Sequence, residues 1–324
     1  MKTRAMLTVH IGLPKTATTL LQQVLFSHHQ GVDYLGKYPK RVLGHSRDDR
    51  RSFDRLMRAV HQCSLGGPGL SECADRIRER IGRSQEAGRV PLWSSEGICS
   101  GAPPNREFRA RSLAALVGRY RTLIVLREPI SFVKSMYLQK LKEAQYRRRR
   151  DRLMSRRFFE FEEWLEENWR NGPFRALMNL DYARTIELFA KNSGGGEVGV
   201  FLFEKLVSQP SEFISEICNF LGIDPDEGIA LTSNQTRNPR LSQNQFLRMR
   251  RIYSSFPKRV ALSLATRRFR RRLFGLGSPD PDSGPAEVAI PEAWRDRLCD
   301  FVREGNQRLI RERGLPLVDF GYPV

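Results

Sequence analysis

The sequence predicts an α/β protein of three layers, a central parallel sheet flanked by helices. Three observations predict it. Short strand-like runs recur along the chain, helical patterns separate them, and one run, Leu123-Ile124-Val125-Leu126, is apolar at every position. An apolar run that short is the mark of a parallel strand covered on both faces. Strands alternating with helices in turn imply a parallel sheet with helical layers on it.

Each element follows in order. Leu7-Thr8-Val9-His10-Ile11-Gly12 alternates and stops at Gly-Leu-Pro, a strand entering a loop. Thr18 or Thr19 is placed to cap a helix carrying Leu20, Leu21, Val24 and Leu25. Segment 32–90 is polar and arginine-rich, with helical patches at Phe53–Val60 and Cys73–Ile81. Val90–Glu96 reads as a second strand ending in a carboxylate, and Phe108–Val117 as a helix. After Leu123–Leu126, Arg127-Glu128-Pro129 leads into a helix that Pro129 can open. Helices are expected at Phe158–Trp169 and Tyr182–Ala190, a turn at Gly194–Gly196, a strand at Val198–Phe203 and a helix at Pro210–Leu221. Gly275–Pro291 has loop composition and Glu292–Arg313 reads as a closing helix. The organisation expected is one domain over 1–324, an α/β core with insertions to about 274 and then a loop with a C-terminal helical extension.

Composition bounds the function. Of 324 residues, 40% are hydrophobic and 28% charged, which excludes a wholly disordered chain. No apolar stretch is long enough to span a bilayer, and the N-terminus lacks a signal-peptide pattern. Cys63, Cys73, Cys99, Cys218 and Cys299 are odd in number and without C-x-x-C spacing, so a reducing cytoplasm is expected, without a disulfide framework or zinc site. The five histidines show no metal-ligand spacing, and no metal is expected. The net charge of +19 favours anionic partners such as nucleotides, nucleic acid, acidic glycans or lipid headgroups.

The sharpest signal is Gly12-Leu13-Pro14-Lys15-Thr16-Ala17-Thr18-Thr19, between the first strand and first helix. A loop there aims backbone N–H groups and a helix start at one spot, a ready anion site. Lys15 adds a positive charge and the threonines add hydroxyls. The ATP-binding pattern G-x-x-x-x-G-K-[ST] does not fit, because counting from Gly12 puts Ala17 and Thr18 where its Gly and Lys belong. Arg127 also stands where a nucleotidase would need a metal-holding Asp. The second signal is Arg127-Glu128-Pro129 with Ser135 eight residues after the arginine. A guanidinium at a strand end and a hydroxyl on the following helix can converge on one dianion.

Together these residues resemble sulfotransferases that use 3′-phosphoadenosine 5′-phosphosulfate (PAPS). Pro14–Thr19 is similar to their P-K-T-G-T-T loop, with Ala17 for Gly, and Arg127-x-Pro129 with Ser135 is similar to their second motif. An alanine in that loop is expected to need a negative φ. Val198–Glu204, Pro210–Gly222 and the ending Leu315–Pro323 look like the tail of bacterial members. The resemblance implies a P-loop-like fold and PAPS as cofactor, with Lys15, Thr16, Ala17, Thr18 and Thr19 at the 5′-phosphosulfate and Arg127 and Ser135 at the 3′-phosphate. It also implies Lys15 at the departing oxygen, and Glu204 as a structural residue. Arg237 or Arg240, in a late basic loop, is a further candidate for the 3′-phosphate, with a solvent-facing turn arginine as the rival reading.

Family members use either His or Glu as general base. Glu96 is favoured, since it closes Leu92–Glu96 at the sheet edge where α/β ligands bind. A capping or ion-pairing role is its rival, and His10, inside the first strand, reads as a packed core histidine. The acceptor is expected to be a glycan, glycolipid or small hydroxylated molecule, held by loops in 32–90, 97–110 and 140–180. The alternatives are a P-loop kinase-like phosphotransferase or a basic nucleic-acid-binding protein, the latter resting on net charge alone. The cationic run Arg147–Arg157 reads as solvated surface, or as an acceptor or membrane contact. The run of Lys258, Arg259 and Arg267–Arg272, interleaved with apolar residues, reads as a helix packed on the core or as a peripheral contact with an anionic membrane at its inner face.

Overall fold

The computed structural model describes residues 6–36, 47–64, 69–99, 103–144, 158, 160–170, 176–233, 241–255, 258, 269, 273–275 and 283–324, with backbone alone at 47–50, 143–144, 170 and 176. Arg237, Arg240, the Arg147–Arg157 run and the arginines of Lys258–Arg272 lie outside these residues. The chain divides into two compact units, one formed by Met1–Pro129, Pro173–Gln235 and Asp300–Val324, the other by Ile130–Gly172 and Thr236–Cys299.

The first unit holds a five-stranded sheet of β1 (Leu7–His10), β2 (Val32–Tyr34), β3 (Val90–Ser94), β4 (Tyr120–Leu126) and β5 (Val198–Leu202). Its order is β2-β3-β1-β4-β5 and every neighbouring pair is parallel. β1 is therefore central, with β3 on one side and β4 on the other. Chain order reverses across it, so the crevice at its carboxyl end is where such sheets bind ligands. All four residues of β1 are buried and Leu123–Leu126 of β4 are wholly so, as expected of strands covered on both faces.

Helices form the outer layers. Leu21, Leu25 and Phe26, from the helical run after β1, join Leu92, Leu123, Val125 and Phe201 of the sheet. Phe213, Ile214, Ile217 and Leu221 of the helix Pro210–Leu221 close this core. Strand alternation sends Ile124 and Leu126 to the opposite face. There Leu70–Glu86 packs on β3, and Tyr182–Asn192 packs on β4 and β5. The sequence signals act locally as expected. Pro210 opens its helix, and Gly222 ends it at φ 75, where its own N–H and that of Ile223 both bond to the Cys218 carbonyl. Asp181 caps Tyr182–Asn192 by accepting from the Arg184 N–H at 3.1 Å.

Four expectations need correction. β2 went unread because it has three residues and carries a carboxylate. Asp33 is nonetheless buried, and it accepts hydrogen bonds from Arg80 (2.9 Å) and Ser84 of the helix Leu70–Glu86, which removes the penalty for burying its charge. β3 stops at Ser94, and Glu96 opens a 3-10 turn, Glu96–Cys99, rather than ending the strand. β5 stops at Leu202, which puts Glu204 in the first turn of the helix Phe203–Ser208. Neither Thr18 nor Thr19 is a cap: Ala17 occupies the N-cap position, and no side chain caps it.

The second unit is helical. Pro129–Ala144 runs into it, and it contains Phe161–Arg170, Gln243–Tyr253 and the first part of Glu292–Arg313. Ser242 and Gln245 form a capping box at the third of these. Tyr137 and Phe161 meet at a tilt with ring centroids 4.8 Å apart, and Trp164 lies 5.9 Å from Tyr137. The Arg297 guanidinium lies 4.3 Å from the centre of the Trp169 ring and 4.8 Å from that of Trp294, two cation–π contacts with rings that meet edge to face.

Candidate active site

The carboxyl ends of β3, β1 and β4 are adjacent, and each leads into one candidate residue or motif. After β1 the ladder continues one step, with the Ile11 N–H on the Leu123 carbonyl at 3.0 Å. The chain then turns through Leu13–Ala17. Lys15 and Ala17 have positive φ, 69° and 61°, while Thr16 between them does not. Alternation of this kind turns successive N–H groups toward one side and forms an anion-binding concavity. The buried Thr16 hydroxyl donates to the Leu13 carbonyl at 2.6 Å and locks the turn. Thr18 is buried and Thr19 exposed. Helical bonding starts with Leu21 N–H on the Ala17 carbonyl at 3.1 Å, so the N–H groups of Thr18 to Leu20 precede the first intrahelical acceptor. The φ of Ala17 overturns the expectation of a negative value. The loop keeps the left-handed conformation suited to glycine and places the methyl group in it, at roughly 1 kcal/mol.

β4 delivers Arg127 immediately beyond its last residue. The guanidinium is half-buried, donates from Nη1 to the Lys15 carbonyl at 3.0 Å, and lies 4.5 Å from the centre of the Phe203 ring. The two sequence motifs, 112 residues apart, therefore touch. Behind them is a polar clamp. Tyr182 donates its hydroxyl to the Arg127 carbonyl at 2.6 Å, while Glu204 accepts from the Glu128 N–H at 2.8 Å and from the Tyr322 hydroxyl at 3.0 Å. Burial, reinforced by the Glu204 charge, pushes both tyrosines well above their ordinary range, so they remain hydroxyl donors. Glu204 thus orients the turn after β4, and the C-terminal Tyr322 finds its place there. Ser135 is half-buried on Pro129–Ala144, in the second unit.

β3 delivers Ser94, Ser95 and Glu96. The Ser95 N–H bonds to the His10 carbonyl at 3.0 Å, so the ladder to β1 reaches the residue before Glu96. Glu96 is half-buried. Ser94 bonds to the Nδ1 of His10 at 2.7 Å and accepts from the Gln22 amide at 2.8 Å. Ser95 bonds to the Nε2 of His61 at 2.9 Å. The turn beyond Glu96 is held by Arg109, which donates from Nη1 to the Gly97 carbonyl (3.0 Å) and from Nη2 to the His61 carbonyl (3.2 Å). Burial first, and then the Arg109 charge, lower the His61 pKa, which keeps this imidazole neutral near pH 7. Burial alone lowers that of His10 to about 3. Cys99, in the same turn, is pushed up to about 12 by burial and is no thiolate nucleophile at neutral pH.

His61 and Arg109 went unread in the sequence. Their partners lie 34 residues away for His61 and 12 to 48 for Arg109, with no spacing rule to connect them. The one cue was the doubled serine before Glu96, whose neighbours point to opposite faces of a strand and so find different partners.

The model of a sulfotransferase family matches residues 9–227, well over half of the sequence, and the chain belongs to that family. No curated protein matches it. Among solved structures, a sulfotransferase from Alicyclobacillus acidocaldarius is 15% identical, with 97% of this chain and 98% of that one covered and a TM-score of 0.52, a likeness of fold. The sulfotransferase domain from the curacin biosynthetic pathway is 13% identical over the whole of both chains, with a TM-score of 0.42. That of the Synechococcus PCC 7002 olefin synthase is 16% identical over 81% of this chain and 95% of that one, also at 0.42. Among the described residues, no helix is long and apolar enough to cross a membrane.

Proposed function

We propose that this sulfotransferase uses PAPS and moves its sulfuryl group to a hydroxyl or amine of a glycan, glycolipid or small hydroxylated acceptor. The observation that carries the reading is the 3.0 Å bond from Arg127 to the Lys15 carbonyl, which joins the two anion-binding motifs at neighbouring strand ends. The residues present fit an adenylate with two anionic groups. The loop has the alternating φ of an anion concavity with Lys15 inside it, and a second cation, Arg127, is anchored beside it. When bound, PAPS supplies an activated sulfuryl group on a phosphate leaving group.

The chain's own residues then divide the work. The N–H groups of Thr16 to Thr19 hold the 5′ end, and Arg127 with Ser135 holds the 3′-phosphate, Arg237 being a further candidate there. Lys15 neutralises charge growing on the departing oxygen. Glu96, at the end of the neighbouring strand, takes the acceptor proton as general base. Calorimetric titration with 3′-phosphoadenosine 5′-phosphate, against ATP with Mg²⁺, tests the reading. Tight binding without metal, weakened at least tenfold in Arg127→Ala, is the expected result. Preference for ATP with Mg²⁺ would replace it with a kinase-like reading.

A further inference from the structure

His10, the last residue of β1, has no exposed surface. Its register partner across the sheet is Ser94, and the two side chains are 2.7 Å apart, Nδ1 to Oγ. Ser94 also accepts from the Gln22 amide at 2.8 Å. Among the described residues the Ser94 hydroxyl contacts only the Gln22 amide, which donates to it, and His10 Nδ1. Nδ1 is therefore the one acceptor placed to take its proton, and that direction is assigned from these contacts. The neutral ring then carries its own hydrogen on Nε2. That atom is fully buried and has no hydrogen-bond partner among the described residues. It faces the first residue of the anion loop: a Cβ on Gly12 would stand 2.5 Å from Nε2 and 2.9 Å from the Thr18 methyl. Gly12 is thus glycine because the imidazole fills the space beneath it.

An unpaired buried donor destabilises the fold, and an apolar ring in its place would avoid that. The three-residue network spans the parts that the proposed chemistry needs in register. Gln22 lies in the π-helical turn Leu21–Leu25 just after the loop, His10 just before the loop, and Ser94 two residues before Glu96. We propose that His10 is a positioning residue, a neutral Nε2–H imidazole that locks the anion loop to the end of β3 through Ser94 and Gln22. Its kinetic consequence rests on the sulfotransferase reading of the site. Its structural consequence does not.

Two measurements test the lock. Long-range ¹H–¹⁵N correlation on the full chain should show His10 as the Nε2–H tautomer, without titration between pH 5 and 8. An Nδ1–H tautomer overturns the donor assignment. Amide exchange should then speed up jointly at Ser95 and at Leu21 in both His10→Leu and Ser94→Ala. Loss of protection on one side alone overturns the lock. In turnover, each variant should lower kcat about tenfold or more while binding of 3′-phosphoadenosine 5′-phosphate stays within twofold, and the double variant should be no worse than the poorer single one. His10→Asn, whose side-chain oxygen can stand where Nδ1 does and accept from Ser94, should recover part of kcat. Additive losses, or losses in adenylate binding alone, overturn the positioning role. If the wild-type chain binds no adenylate, the functional reading fails, and the tautomer and exchange results still decide the lock.

Discussion

The loop after β1 and the turn after β3 leave the same sheet edge from neighbouring strands, yet they are held in opposite ways. The loop is held by its own backbone. Its positive φ angles, the Thr16 bond to Leu13 and the helix that follows all fall within a dozen residues, and the distant ties described above are Arg127 on the Lys15 carbonyl and Ser94 on the flanking His10 and Gln22. The turn is held from outside, by Arg109 on its carbonyls and by His61 on Ser95, both side chains from other elements. On the proposed function the loop is therefore a preformed anion cradle, whereas the position of Glu96 depends on the packing of two helices, Arg47–His61 and Pro103–Val117. Mutations in the first should change chemistry with little change in folding, and mutations around the second should change both.

The largest effect is expected at Lys15. Removing its ammonium in Lys15→Ala should lower sulfuryl transfer about a thousandfold, the scale for losing a charge-stabilising donor, with the melting temperature unchanged or slightly raised. Parallel losses of activity and of folding would erase the distinction between the two regions. Next comes Glu96→Gln, which keeps the shape and removes the proposed base. A loss of about a hundredfold in kcat, with the adenylate still bound, is expected. Full activity in that variant would remove Glu96 from the mechanism and turn attention to the neutral His61 beside Ser95.

The same contrast explains what the sequence made legible. Pro14–Thr19 is contiguous, so its residue types and their spacing announced the loop, and Arg127 could be read because it follows an apolar strand directly. The places of the strands along the chain were equally open, apart from β2, whose buried Asp33 depends on Arg80 and Ser84, 47 and 51 residues away. His61, Arg109 and the Ser94 network are assembled by tertiary packing alone, and no local pattern encodes them. Even the loop hid one fact. A sequence gives the residue at position 17 but not its φ, and the structure holds that alanine in a conformation favouring glycine.

Arg109→Ala should sharpen the comparison from the other side. It strips a charged donor from the Gly97 and His61 carbonyls, and a loss of about 2 kcal/mol in stability is expected, together with a fall in kcat as Glu96 loses its support. Urea unfolding alongside turnover would check both, and a fall in activity without destabilisation would contradict the externally held turn. The two histidines add a pH dependence. Both have folded pKa values below the unfolded 6.5, so the stability they contribute is present above pH 6.5 and is lost as pH falls below it. For His10 the loss continues toward pH 3, at up to about 1.4 kcal/mol per unit. Comparing urea midpoints at pH 7 and pH 5, His10→Asn should flatten the change more than His61→Gln, since burial is complete at the first and partial at the second.

The smallest effect is expected at Ala17, and it bears most directly on how the loop is built. At φ 61 and ψ 14 the alanine methyl crowds the backbone, and Ala17→Gly relieves that crowding, against the greater entropy that glycine has in the unfolded chain. The balance favours the variant by about 0.5 kcal/mol, or one to two degrees in melting temperature for a protein of this size. Lys15, at φ 69, supplies the control. Lys15→Gly relieves the same kind of strain but deletes the charge, so it should gain similar stability and lose transfer as Lys15→Ala does. Ala17→Gly should gain stability and retain transfer. A destabilised Ala17→Gly would mean that contacts of the methyl group outweigh its backbone strain, and the loop would then be held by packing, as the turn after β3 is, rather than by its own backbone.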